Sequence, residues 1–166
     1  MEITRASDYA VRVLIHLAGL PAGSMLQTSA LAEAADVNVQ FLSKVMQRLV
    51  RAGLVRSQRG SGGGFGLAMT AAGISVLDVV QAIEGPLRLN QCLYEGLSCD
   101  RKSWCSAHRV WVQAQAAVVG VLDAVSIAQL AEPIGSEMQN RFQNGTGHRS
   151  RERRKDKGTI SAGGVR

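Results

Sequence analysis

Aromatic side chains are scarce in this 166-residue chain, at 4% of positions. A core short of large rings is filled by Ala, Val and Leu, which suits closely packed helices. No apolar run reaches the roughly eighteen residues that a membrane-spanning helix needs, so no membrane partner is expected. The opening MEITRASDYA lacks the basic-then-apolar order of a secretory leader, and a reducing cytoplasm is the expected location. Catalytic signatures are missing as well. No Ser-His-Asp or HExxH arrangement is visible, and the glycine run at 60–64 is not followed by the Gly-Lys-Ser/Thr of a phosphate loop. An enzyme is not expected.

Acidic residues are absent from one long stretch. None occurs between Asp36 and Asp78, while Lys44, Arg48, Arg51, Arg56 and Arg59 all fall there. The overall net charge of +6 says less, because residues 146–166 alone carry seven Lys or Arg against Glu152 and Asp156. An acid-free basic zone inside a folded region suits a polyanion.

The apolar spacing predicts helices around that zone. Thr4 caps a first helix with Val11, Leu14, Ile15 and Ala18 on one face. Thr28 or Ser29 caps a short second helix through Ala35, and Asp36-Val37 turns tightly. Asn38 caps a third helix, with Val39, Leu42, Val45, Met46, Leu49 and Val50 as its buried stripe. Gly53 ends it. Leu54–Gln58 and Phe65–Met69 read as two short strands, joined by a tip at Arg59–Gly64. Helix, tight turn, helix, then a basic hairpin is the order of a winged helix-turn-helix.

Ser75 and Asp78 cap a fourth helix that faces Val79, Val80 and Ile83 inward. From about His108 a long helix carries Val110, Ala114, Ala117, Val118, Val121, Leu122 and Val125 on one face, with Trp111, Val112 and Val119 on another. A helix apolar on more than one side needs more partner surface than a small core offers, so it reads as a dimerisation helix. Ser126 and Gln129 cap a short final helix before Pro133. The expected fold is mainly α. It comprises a winged helix-turn-helix domain at 1–85, a cysteine loop at 86–107, dimerisation and terminal helices at 108–143, and a basic disordered tail at 144–166.

The outer face of the third helix carries Gln40, Ser43, Lys44, Gln47 and Arg51, which can donate to base edges and phosphates. Phe41 can touch a thymine methyl, and Asn38 lies at the helix end that enters the major groove. Arg59 at the wing, with Ser61 beside it, suits a narrow minor groove. Taken alone, a helix with Lys and Arg outside is ordinarily just a solvated helix. The conjunction of helices, turn and basic glycine tip points to double-stranded DNA.

Three cysteines, Cys92, Cys99 and Cys105, lie within fourteen positions, and His108 follows closely. Three thiolates with one imidazole complete a four-ligand set for an iron–sulfur cluster or for zinc. An unliganded thiol switch is the further alternative, and an iron–sulfur electron carrier is the rival from another class. His16 reads as a packed or surface histidine and His148 as a solvated one.

Thr4 with Asp8-Tyr9-Ala10-Val11, Phe41-Leu42, Arg48-Leu49, Ala52-Gly53-Leu54-Val55, Arg59-Gly60 with Gly62-Gly63-Gly64, and the three cysteines form a combined pattern. Over about residues 1–132 the chain resembles the Rrf2 family of bacterial transcription regulators. It resembles in particular the members that hold iron–sulfur clusters or respond to nitric oxide. The resemblance implies a homodimer on an inverted-repeat operator, mostly as a repressor. It also implies that Cys92, Cys99, Cys105 and His108 hold a 2Fe–2S cluster. Alternatively, the three cysteines hold a 4Fe–4S cluster with Asp8 of the other protomer as fourth ligand. Asp8 equally suits the first turn of a helix for its dipole alone.

Overall fold

In the computed structural model of the chain, the structure describes residues 3–60, 62–93 and 99–132. Ser61, residues 133–143 of the expected dimerisation and terminal-helix unit, and the 144–166 tail lie outside them. The element order is α1 (Arg5–Ala18), α2 (Thr28–Ala34), α3 (Val39–Arg51), β1 (Val55–Gln58), β2 (Gly64–Leu67), α4 (Val76–Glu84), α5 (Ser106–Asp123) and α6 (Ile127–Ala131). Short 3₁₀ turns occupy Ala71–Gly73 and Gln91–Leu93.

Local chemistry sets most of the helix starts, but not that of α2, whose N-cap position is Gln27, so that Thr28 and Ser29 lie inside the helix and neither caps it. The Thr4 hydroxyl accepts from the Ala6 amide, and Asn38 Oδ1 accepts from the amides of Gln40 and Phe41. Ser75 with Asp78 and Ser126 with Gln129 each close a capping box at α4 and α6. Gly53 ends α3 at a φ of 74°, and Asp36 takes a φ of 51° in the turn between α2 and α3. That left-handed residue closes the short turn between the two helices.

The core is a meeting of α1, α3 and α4. Ala10, Val13, Leu14 and Leu17 of α1 face Leu42, Val45, Met46 and Leu49 of α3, with Val79 and Ile83 of α4 beside them. Two expectations shift. The inward face of α1 is centred on these residues, while Val11, Ile15 and Ala18 are only partly buried around it. Val39, expected in the buried stripe of α3, is 45% exposed because the first turn of α3 projects beyond the core. His16 is buried, and burial pushes its imidazole pKa down.

The wing is fixed at its base. β1 and β2 pair antiparallel, with Val55 opposite Leu67 and Gln58 opposite Gly64. Leu26, just before α2, adds a bridge to Phe65 through two backbone hydrogen bonds of 2.9 and 2.7 Å. Gly64 has a φ of 149°, and a side chain there would overlap the Leu26 carbonyl.

The C-terminal end returns to the core. Ile127 donates its amide to the Ile74 carbonyl at 2.8 Å, and Val76 donates to Val125 at 2.9 Å. Ile74 and Ile127 are both fully buried, and α6 packs on α1. Nothing local in the sequence announces this docking.

The last residue of α4 ties it to the start of α1. Glu84 Oε1 accepts from the Thr4 hydroxyl at 2.5 Å, the Ser7 hydroxyl at 2.6 Å and the Thr4 amide at 3.3 Å. Burial pushes this carboxyl up. The hydrogen bonds from Ser7 and Thr4, with the Arg48 charge, outweigh that and hold it below the ordinary glutamate value of 4.5. A depressed folded pKa stabilises the fold above the unfolded value, and the contribution drains as pH falls through the folded one. Glu84→Gln is therefore expected to be less stable than the native chain at pH 7, with the gap closing on acidification below 4.5. Urea midpoints at pH 7 and pH 3 check this. A gap equal at both values removes the ionised carboxylate from the explanation.

Candidate DNA interface and cysteine loop

The α3 face opposite the core presents Gln40, Lys44, Gln47 and Arg51 to solvent. The Ser43 hydroxyl turns back, donating to the Val39 carbonyl at 2.8 Å, so it meets an incoming group as an acceptor. Asn38 spends its side-chain oxygen on the cap. The Phe41 ring is 38% exposed, with its edge set against Tyr9 of α1 at 5.8 Å between centroids.

Two of the five cations in the acid-free stretch are committed elsewhere. Arg48 Nη1 donates to the Ile83 carbonyl at 2.9 Å, tying α3 to the end of α4. Arg56 Nη2 donates to the Gly23 carbonyl at 3.0 Å, tying β1 to the loop after α1. Lys44, Arg51 and Arg59 are all exposed and carry the positive charge of the outer face. Arg59 stands at the tip of the wing, where Gly60 has a φ of 108° and Gly63 donates to the Gly60 carbonyl at 3.0 Å. Sequence reasoning missed the inward roles of Arg48 and Arg56, since their acceptors are backbone carbonyls over thirty residues away.

The cysteine loop leaves α4 through Gly85, at a φ of 80°, and buries Leu87. Cys92 sits in the 3₁₀ turn, and His108 in the first turn of α5. His108 Nδ1 lies 3.4 Å from Cys92 Sγ. Cys105 is the N-cap residue of α5, so it stands one turn before His108. Cys99 begins the turn that closes through the Lys102 amide at 2.9 Å. All three cysteines are half-buried and free of disulfides. A cavity of about 370 Å³ opens beside the pair, lined by Lys102, Val112, Gln115 and Val119 among others.

The structure therefore brings Cys92 and His108 together. Among the described residues, no three His, Cys, Asp or Glu side chains lie close enough to hold a metal ion. Asp8 is exposed on α1 and pairs with Arg12 at 3.0 Å. The donor chemistry suits a soft metal centre, and binding one requires Cys99 and Cys105 to close on the pair already in contact.

The α2–α3 pair with its tight turn, the hairpin anchored beside it and the acid-free outer face define a winged helix-turn-helix DNA-binding protein. The chain belongs to the Rrf2 family, whose model, described as an iron-dependent transcriptional regulator, matches residues 3–133. This is a family of transcription regulators and not of enzymes. Among solved structures, the chain is similar to CymR (YrzC), the global cysteine regulator of B. subtilis, with a TM-score of 0.65 and 24% identity over 80% of this chain and 97% of that one. It is similar to the oxidised form of S. aureus CymR, with a TM-score of 0.62 and 28% identity over 80% and 97%. T. potens IscR follows the same fold, with a TM-score of 0.63 and 21% identity over 89% and 93%. No helix among the described residues is long and apolar enough to cross a membrane.

Proposed function

We propose that this regulator is a cytoplasmic homodimeric repressor that binds an inverted-repeat operator and reports iron–sulfur, redox or nitric-oxide status through its cysteine loop. The contact of 3.4 Å between Cys92 and His108 carries the reading. It joins two soft-metal donors sixteen residues apart at the root of α5. The iron dependence in the family's description points the same way.

Cys92, Cys99 and Cys105 would hold an iron–sulfur cluster, with His108 or Asp8 of the other protomer as fourth ligand. When bound, such a cluster supplies a centre that gains or loses electrons and reacts with nitric oxide. The chain's own residues offer a route from this loop to the DNA. Gln115 of α5 accepts from the Leu89 amide at 3.2 Å, four residues before the end of the 3₁₀ turn that holds Cys92. Leu87 is locked in the core, and Arg48 grips the Ile83 carbonyl just before it. A rearranged loop thus pulls on the α4 terminus, and through Arg48 on α3. Coupling of this kind needs two arrangements that the loop and the DNA favour differently.

Dimerisation is supported by α5, which has no buried residue in the single chain. Val110, Trp111, Val112 and Val121 are 40–67% exposed along it. A second copy covers such a surface at the least cost.

Anaerobic purification tests the cofactor. Brown protein with acid-labile sulfide is expected, and Cys105→Ala should remove the colour. Colourless protein containing zinc overturns the cluster. His108→Ala and Asp8→Ala should separate the two ligand sets, since only one should alter the visible spectrum. One observation favours a second reading. The Cys92–His108 pair also suits a metal-free thiol switch, and S. aureus CymR has been solved in an oxidised form. Metal-free protein whose DNA affinity responds to oxidant would select that reading.

A further inference from the structure

The first turn of α3 has no charged residue. Val39 and Phe41 within it are 45% and 38% exposed, although both are large and apolar. Of the two, Phe41 stands one turn before Lys44, the first cation of the helix. Phe41 is thus placed on the flank of the outer face, where it meets whatever that face binds.

The major groove presents only one apolar group, the C5-methyl of thymine. We propose that Phe41 selects thymine at one position in each operator half-site, and that Tyr9 is the positioning residue that sets its ring. The inference rests on α3 being the DNA-reading helix. Two observations fix the geometry. Asn38 accepts from the Gln40 and Phe41 amides at 2.8 and 3.3 Å, which locks the backbone of the turn. Tyr9 meets the Phe41 ring at 74° between planes, an edge-on contact that favours one ring orientation over free rotation. Tyr9 is itself half-buried on α1, whose neighbouring Ala10 is fully buried, so the support is rigid. The ring is thus offered to the groove with its orientation already chosen.

The test begins with the full chain and a random-sequence duplex pool, from which an operator is selected. Each thymine is then replaced by deoxyuridine, which deletes the methyl and leaves every hydrogen-bonding group. Native protein is expected to lose about fourfold in affinity for each contacted methyl deleted. Phe41→Ala should bind the thymine and uracil duplexes equally, and Phe41→Leu, which keeps apolar volume on the helix, should narrow the gap. Tyr9→Ala should narrow it too, while Tyr9→Phe, which keeps the ring, should preserve it. Circular dichroism melting within a few degrees of the native chain shows that each of the four variants is folded. Native protein indifferent to every uracil substitution overturns the proposal, as does Phe41→Leu with undiminished discrimination. A pool that yields no enriched sequence overturns the DNA-reading role of α3 instead.

Discussion

Ile127→Ala is expected to lower the unfolding free energy by about 2–5 kcal/mol, the usual cost of emptying a fully buried aliphatic site. The residue sits in a helix of only five residues, too short to persist without docking. Its side chain lies in the core with Ile74, and its amide closes the bridge between Ser75 and Ser126. Alanine keeps the bridge and the capping box but empties the site. The loss is large against the roughly 5–15 kcal/mol that holds a domain of this kind together. Urea unfolding followed by circular dichroism checks it. A loss below about 1 kcal/mol would mean that α6 is an appendage and not a part of the core.

Gly64→Val is expected to detach the wing. Valine at a φ of 149° is strained, and its Cβ would overlap the Leu26 carbonyl. Relief requires the two hydrogen bonds between Leu26 and Phe65 to break. Strain and lost bonds together amount to about 2–5 kcal/mol, spent locally at the hairpin. Specific DNA affinity should fall, since Arg59 loses its fixed approach, while the helices keep their melting temperature within a few degrees. Amide exchange at Phe65 and Leu26 reads the detachment directly. Protection retained at both amides would refute it.

Much of this molecule is legible from short-range patterns. Thr4, Asn38, Ser75 with Asp78, and Ser126 with Gln129 are caps whose partners lie within three residues, so sequence alone locates them. The wing is legible for the same reason, from Gly53 to the glycine tip. Features closed over long separations are not. The docking of Ile127 on Ile74 spans fifty-three positions, and Arg48 reaches a carbonyl thirty-five residues on. Periodicity marked Val39 as inward because it counts spacing along a helix and not where the core stops. In the cysteine loop the donor types were legible, and spacing suggested that they converge. The structure joins Cys92 to His108 but leaves Cys99 and Cys105 outside that contact.

The docked α6 has a mechanical consequence for the helix before it. α5 runs for 18 residues, a rod about 27 Å long. Its far end is pinned at Ser126 and Ile127, and its near end bears Cys105 and His108. Any turn of α5 about that end also moves Gln115 and the Leu89 amide bonded to it. A tilt of about 5° around the pinned end carries the cysteine end through about 2 Å, since displacement grows with the length of the rod. An arm of this length turns a slight angular change at its anchorage into a movement as large as a bond to a metal.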